Sequence, residues 1–230
     1  MRKKNLRSIS QVQRDYDKNV DNYDKVRYGS LGGHYVDKKE TEFVSSIIKG
    51  STVLEVGTAT GRFAASLTEQ GGEYTGVDLS QKMLRTTFER THHSASLVQM
   101  DGCQLGFRPF FDYVLCVRTF HFLPKPIEAL QGMLNALKPG GQCLVTFETD
   151  NLLRRVLLSV GMGTSQQYYY TIFEVEDMFR KSGFKVVRNG SVMRIPVTVY
   201  RKCPRLFLPI LKRLERLWPW PMHGYILGAK

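Results

Sequence analysis

Short, mostly apolar runs alternate with helical patterns through the middle of the chain. Val53-Leu54-Glu55-Val56, Gly76-Val77-Asp78-Leu79, Leu97-Val98-Gln99-Met100, Phe111 to Val117 and Gln142 to Phe147 have the character of strands buried on both faces. The first run breaks into a small-residue turn and reopens as Phe63-Ala64-Ala65-Ser66-Leu67, a helical pattern. Further helices are expected from about Lys38 to Ile48 and over Phe173 to Phe179, the latter ended by Ser182-Gly183. A sixth strand follows at Phe184-Lys185-Val186-Val187, and a last one at Tyr225 to Ala229. Between those two strands, Pro209 to Trp218 reads as a short helix. Ile210, Leu211, Leu214, Leu217 and Trp218 recur at helical spacing, with Lys212, Arg213, Glu215 and Arg216 facing away. Strands alternating with helices predict an α/β sandwich around a mainly parallel sheet.

The turn after the first strand carries the chemistry. Gly57 and Gly61 admit backbone angles closed to other residues, so a ligand can lie on the main chain at a helix N-terminus. The pattern is E-x-G-x-x-x-G, with Ala59 at the middle small position. A dinucleotide fingerprint places a pyrophosphate in this turn, and Glu55 would repel it; a carboxylate suits a cationic ligand instead. Asp78, 21 positions beyond Gly57, ends the second strand where an acid can accept hydrogen bonds from ribose hydroxyls. Asp101-Gly102 ends the third strand in the same way.

At these residues the chain resembles the class I S-adenosylmethionine-dependent methyltransferases, whose first motif is (D/E)-x-G-x-G-x-G. Asp78 to Leu84, as D-L-S-x-x-M-L, is similar to the second motif of the branch that includes ubiquinone- and menaquinone-type enzymes. Phe120-His121-Phe122-Leu123-Pro124 resembles that branch's His-x-Leu-Pro segment, and Leu137-Lys138-Pro139-Gly140-Gly141 its LKPGG signature. The likeness covers about residues 52 to 148. It implies a Rossmann-like three-layer sandwich with seven strands in the order 3-2-1-4-5-7-6, the seventh antiparallel, and S-adenosylmethionine as cofactor. It also implies that Glu55, Gly57, Thr58, Ala59, Gly61, Asp78, Leu79, Met83, Asp101, Gly102 and Cys116 border the cofactor. Asp101 would accept from the adenine amino group, and Arg27 would pair with the methionine carboxylate. Tyr28, His121 and Tyr169 are the expected acceptor contacts, with His121 as candidate base because a near-neutral imidazole can take a proton. No acidic cluster suggests a metal site, and none is expected.

Length and charge organise the remainder. The chain's 230 residues suit one domain, with 1–36 as an N-terminal lid, 37–148 as the cofactor core, and 149–173 and 190–222 as caps over the acceptor. Of the net charge of +12, residues 1 to 10 carry +4 and residues 194 to 230 carry +7, so the core is nearly neutral. Charge held in appendages speaks to partners. The cysteines at 103, 116, 143 and 203 show no metal or disulfide spacing, no apolar run follows the basic residues up to Arg7, and no stretch reaches membrane-span length. The expected setting is cytoplasmic, peripheral to a membrane.

Three readings compete. A small-molecule or lipid-like acceptor is favoured by the motif style, the apolar inserts and the basic amphipathic C-terminal segment, which can lie on a lipid surface. RNA methylation is favoured by the basic ends, but Cys116-Val117-Arg118-Thr119 stands where many exocyclic-amine nucleic-acid enzymes carry an Asn-Pro-Pro-Tyr type motif. Nucleic acid is therefore the less favoured partner. A non-catalytic scaffold would explain Ala59 in place of glycine, but the intact Glu55, Asp78 and Asp101 argue against it.

Overall fold

The computed structural model describes residues 8–48, 52–159 and 168–230. The basic start of the chain and the Gly-rich stretch at 160–164 lie outside them. Two helices come first, α1 (Ile9–Tyr28) and α2 (Leu31–Ile47). The cofactor half follows as β1 (Thr52–Val56), α3 (Arg62–Glu69), β2 (Glu73–Asp78), α4 (Gln81–Arg90) and β3 (Ser96–Gln99). The second half runs β4 (Phe111–Cys116), α5 (Pro126–Ala136), β5 (Leu137–Glu148), α6 (Leu152–Ser159), α7 (Ile172–Lys181), β6 (Lys185–Met193), α8 (Val197–Lys202), α9 (Leu208–Leu217) and β7 (His223–Ala229). The sheet order is β3-β2-β1-β4-β5-β7-β6. All pairs are parallel except those of β7, which runs antiparallel to both neighbours. This is the sandwich the motif order implied.

Both faces of the central strands are covered, and that is why their sequences are apolar runs without alternation. Leu54, Val114, Cys116, Val145 and Ile226 pack on one side with Leu130, Met133 and Phe179. Their neighbours Val53, Leu115, Leu144 and Leu227 pack on the other with Val36, Phe63 and Tyr200. Each fully buried side chain of this size contributes about 1.5–3 kcal/mol. The register sets Glu55 beside Gly76 on β2 and Leu115 on β4, so the carboxyl ends of the three central strands open at one edge.

Helix α2 begins seven residues before the expected start at Lys38, because Ser30 caps it by accepting from the Gly33 amide at 3.0 Å. Gly32 and Gly33 look like helix breakers in the sequence. They serve close packing instead: a Cβ on Gly32 would collide with the carbonyl of Tyr200 on α8.

The orientation of α9 corrects the amphipathic reading. Glu215, expected to face away with the basic residues, is 4% exposed. It accepts from Lys39 Nζ at 2.7 Å, the Arg194 amide at 3.0 Å and the Tyr35 hydroxyl at 3.3 Å. Ile210, Leu214 and Leu217 are 54%, 47% and 82% exposed, so much of the apolar stripe faces out. The buried carboxylate, with three donors to satisfy, fixes which face turns inward. Glu215→Ala is therefore expected to cost about 1.5–3 kcal/mol, the scale for stranding buried partners of a charged group. Leu214→Ala should cost well under 1 kcal/mol, as an exposed truncation does. Urea unfolding of the two variants checks the order, and a larger loss in Leu214→Ala would refute this account of α9.

Candidate active site

A cavity of about 330 Å³ opens at the carboxyl ends of β1, β2 and β4, within the size range of small-molecule sites. Its floor is the turn after β1. Gly57 (φ 81°) and Gly61 (φ 73°) take left-handed angles, and a Cβ on Gly57 would collide with the Thr119 side chain. Ala59 is also left-handed, at φ 49°, although it carries a Cβ, a conformation that costs about 1–2 kcal/mol for an L-residue. One carboxylate holds it there. Asp78 Oδ2 accepts from the Ala59 amide at 2.9 Å while Oδ1 accepts from the Ser80 amide at 2.9 Å. Asp101 is similar: Oδ1 accepts from the Cys103 amide at 2.9 Å, and Oδ2 remains to serve a ligand. Burial raises the Asp78 carboxyl, and the amide bonds oppose that.

Glu55 is placed differently from a freely ionised carboxylate. Its Oε2 accepts from the Tyr74 hydroxyl at 2.5 Å, and Tyr74 in turn bonds Thr58. Burial pushes the Glu55 carboxyl up to about 7, while Tyr74 and Arg62 pull it down.

The roof is α1. Ser8, Ile9, Val12, Gln13 and Tyr16 line the cavity from above. Asp17 accepts from Ser80 Oγ at 2.5 Å, and Asp24 accepts from Thr60 Oγ1 at 2.8 Å and pairs with Arg90. These two acids pin the helix to the turns that precede α3 and α4.

Also lining the cavity are Arg27 and Tyr28 at the end of α1, with Arg62, Arg118 and Thr119. Arg27 lies 4.4 Å over the Tyr23 ring, and Arg62 lies 4.9 Å over Tyr28. Arg62 Nη1 reaches Asp37 and Glu40, both at 2.9 Å, and Arg118 Nη1 reaches Glu40 at 3.2 Å. Burial alone would raise the Glu40 carboxyl, but the Arg118 and Arg62 guanidiniums hold it well below the usual range. Glu40 also faces His223, whose Nε2 bonds Glu148 at 2.7 Å; Glu148 pairs in turn with Arg154.

The cavity thus gathers Arg27, Tyr28, Glu55, Gly57, Thr58, Ala59, Asp78, Leu79, Asp101 and Gly102 from the sequence reading. It does not gather the others. Gly61 only shapes the turn, and the side chains of Met83 and Cys116 are fully buried in the core. Tyr169 lies beneath Arg154, away from the cavity. His121, the expected base, is buried off the cavity, and its neighbour Phe122 lines the wall instead. Burial, with Arg118 and His223 adding to it, pushes its imidazole down to about 3, so it is too weak a base to deprotonate an acceptor near neutral pH. Sequence reasoning missed Arg118, which sits at φ 57° directly after β4, and the pinning acids Asp17 and Asp24. Only their position beside motif residues could have flagged them.

Residues 54–145 match the family model described as a methyltransferase domain. The protein is a class I S-adenosylmethionine-dependent methyltransferase. The methyltransferase is 29% identical over 212 residues to a demethylmenaquinone methyltransferase of Listeria monocytogenes, an alignment covering 78% of this chain and 90% of that one. It is 29% identical over 133 residues to a ubiquinone biosynthesis O-methyltransferase of Hydrogenovibrio crunogenus, covering 54% of this chain and about half (53%) of the relative. Among solved structures, a possible histamine N-methyltransferase from Thermotoga maritima superposes with a TM-score of 0.71 at 20% identity, over 95% of this chain and 99% of that one, a likeness of fold.

Two outcomes follow for the cofactor, S-adenosylmethionine. Asp78→Ala should weaken its binding by about 1.5–3 kcal/mol, the loss expected for hydrogen bonds to a charged acceptor, measured by calorimetry. Glu55 predicts a pH effect. The cofactor's ammonium and sulfonium favour an ionised Glu55, so affinity should rise as pH passes through about 7, and Glu55→Gln should flatten the rise. For folding without cofactor the sign is opposite. A carboxyl raised on folding stabilises below its unfolded value near about 4.3, and that stability is lost as pH climbs toward about 7. A wild-type affinity independent of pH would contradict the assignment.

Proposed function

We propose that the methyltransferase methylates a small, hydrophobic, lipid-like acceptor. The observation that carries this reading is the apolar lining beside the cofactor turn: Ile9, Val12 and Tyr16 of α1 face Phe122, Leu123 and Pro124 after β4. The two relatives, a demethylmenaquinone methyltransferase and a ubiquinone biosynthesis O-methyltransferase, support an acceptor of that kind. When bound, the cofactor supplies an electrophilic methyl group on a sulfonium, open to in-line displacement. The chain's part is alignment and exclusion of water. Gly57 to Gly61 and Asp78 would seat the cofactor, Arg27 would hold its carboxylate, and α1, pinned by Asp17 and Asp24, would act as the lid. No base is assigned to His121 in this reading, because its imidazole is neutral and off the cavity.

Delivery of a lipid-like acceptor fits the C-terminal surface. Leu206, Phe207, Ile210 and Leu217 project from the turn before α9 and from α9 itself, among Lys202, Arg205, Lys212, Arg213 and Arg216, while the segment's single acid, Glu215, is turned inward. An outward apolar stripe flanked by cations suits an anionic lipid surface. No helix among the described residues is long and apolar enough to cross a membrane.

The experiment compares association with anionic liposomes and with total RNA across a salt series, for wild type and Leu214→Asp. Liposome binding that the substitution abolishes, with RNA binding weak and unchanged, is expected. Tight RNA binding that falls steeply with salt, without lipid association, would favour the RNA reading instead.

A further inference from the structure

The arginines at the cavity carry more positive charge than the chain neutralises. Arg27, Arg62 and Arg118 line the cavity, and Arg201 of α8 stands behind Arg27, its Nε bonded to the Arg27 carbonyl at 2.9 Å. Against these four guanidiniums stand two carboxylates, Glu40 and Asp37; Arg62 uses both, and Arg118 shares Glu40. Among the described residues neither Arg27 nor Arg201 forms an ion pair. Two donors in the group, Arg118 Nε and Arg201 Nη2, are buried with no hydrogen-bond partner. Stranded donors of charged groups are costly, and an anion within reach of the group would offset that cost. The repulsion is felt within the group: burial first, then Arg118 and Arg27, depress the Arg201 guanidinium to about 10.

The cofactor cannot absorb this surplus. Its one carboxylate suffices for Arg27, but it brings an ammonium and a sulfonium with it, so its binding makes the cavity more positive. A second anion is needed, and it must enter with the other substrate.

We propose that Arg118, beside Arg27 and with the Arg201 guanidinium backing them, forms a binding site for a carboxylate or phosphate group on the methyl acceptor. This rests on the methyltransferase reading with a hydrophobic acceptor and narrows it to an amphiphile, with an apolar body against Phe122 and Val12 and an anionic group on the arginine wall. The planar guanidinium fork of Arg118 can donate Nε to the ligand while Nη1 stays on Glu40. Glu40, held ionised by Arg62 as well, keeps that fork in place.

The test uses the full-length protein saturated with S-adenosylhomocysteine at about pH 8 and calorimetric titration with decanoate, decyl phosphate and decanol. At least one of the two anions should bind about tenfold or more tightly than decanol, the scale of one charge-assisted bidentate contact. Whichever anion leads identifies the headgroup. In Arg201→Gln that preference should fall to within about threefold, with affinity for S-adenosylhomocysteine held within about twofold of wild type. Because Arg201 also holds the Arg27 carbonyl, the readout is the anion-to-alcohol ratio in one variant; general loosening moves both ligands together and leaves that ratio intact. Equal binding of decanoate, decyl phosphate and decanol by wild type would overturn the site, and so would an unchanged ratio in Arg201→Gln. A loss of S-adenosylhomocysteine affinity as large as the loss for the anion would overturn it too, assigning the arginines to the cofactor. A wild type that binds no S-adenosylhomocysteine would overturn the methyltransferase reading itself, a result distinct from those three.

Discussion

The carboxylate of Asp78 is the constraint on which the site depends. It ends β2, yet its two oxygens accept amides from Ala59 after β1 and from Ser80 after β2, so one side chain fixes two strand-to-helix turns relative to each other. Those bonds hold Ala59 in a left-handed conformation that alanine resists. They also set Ser80 as the cap of α4, and Ser80 in turn binds Asp17 of the roof helix. Floor, neighbouring turn and roof are thus a single connected piece of hydrogen bonding. Losing the carboxylate would free the turn and the roof together.

How much of this was legible in the sequence depends on how local the cause was. The strands and the acids at their ends were readable because burial on both faces demands apolar runs, and a ligand turn demands small residues at fixed spacing. Strand order came only through family resemblance, since pairing leaves no trace in one chain's composition. What was illegible was set by distant partners. Gly32 and Gly33 read as breakers until α8 is seen lying on the first and the end of α1 on the second. Glu215 reads as a solvated charge until Lys39, Tyr35 and the Arg194 amide converge on it.

The two histidines near the cavity show the same limit from the side of chemistry. His121 occupies the motif position and was the natural candidate for a base. Burial above all suppresses protonation of its ring, with Arg118 and His223 adding to it against the opposing pull of Glu148. His223, on the last strand, carries no motif, yet Glu148 and Glu40 flank it; burial would lower its imidazole, but Glu148 beside it raises it. It joins two carboxylates into a chain that runs from Arg118 at the cavity wall to Arg154 on α6. Sequence position could not separate these roles, because the shifts are set by burial at His121 and by the carboxylates of Glu148 and Glu40 at His223, brought together by the fold.

The cavity carries charge of both signs. Glu55, Asp78 and Asp101 line it together with Arg27, Arg62 and Arg118, and Arg62 is near enough to Glu55 to pull its carboxyl down. S-adenosylmethionine has hydroxyls and an adenine amino group at one end and a carboxylate at the other, with its positive sulfonium between. The acids therefore attract the donor-bearing half and the arginines the carboxylate, and reversing the cofactor would set the carboxylate against Asp78 and Asp101. At close approach in a partly dry site, such a like-charge contact costs several kcal/mol. The charge pattern thus selects one direction of binding before any shape complementarity acts. Orientation of the cofactor and preference for the acceptor would then follow from the same set of charges.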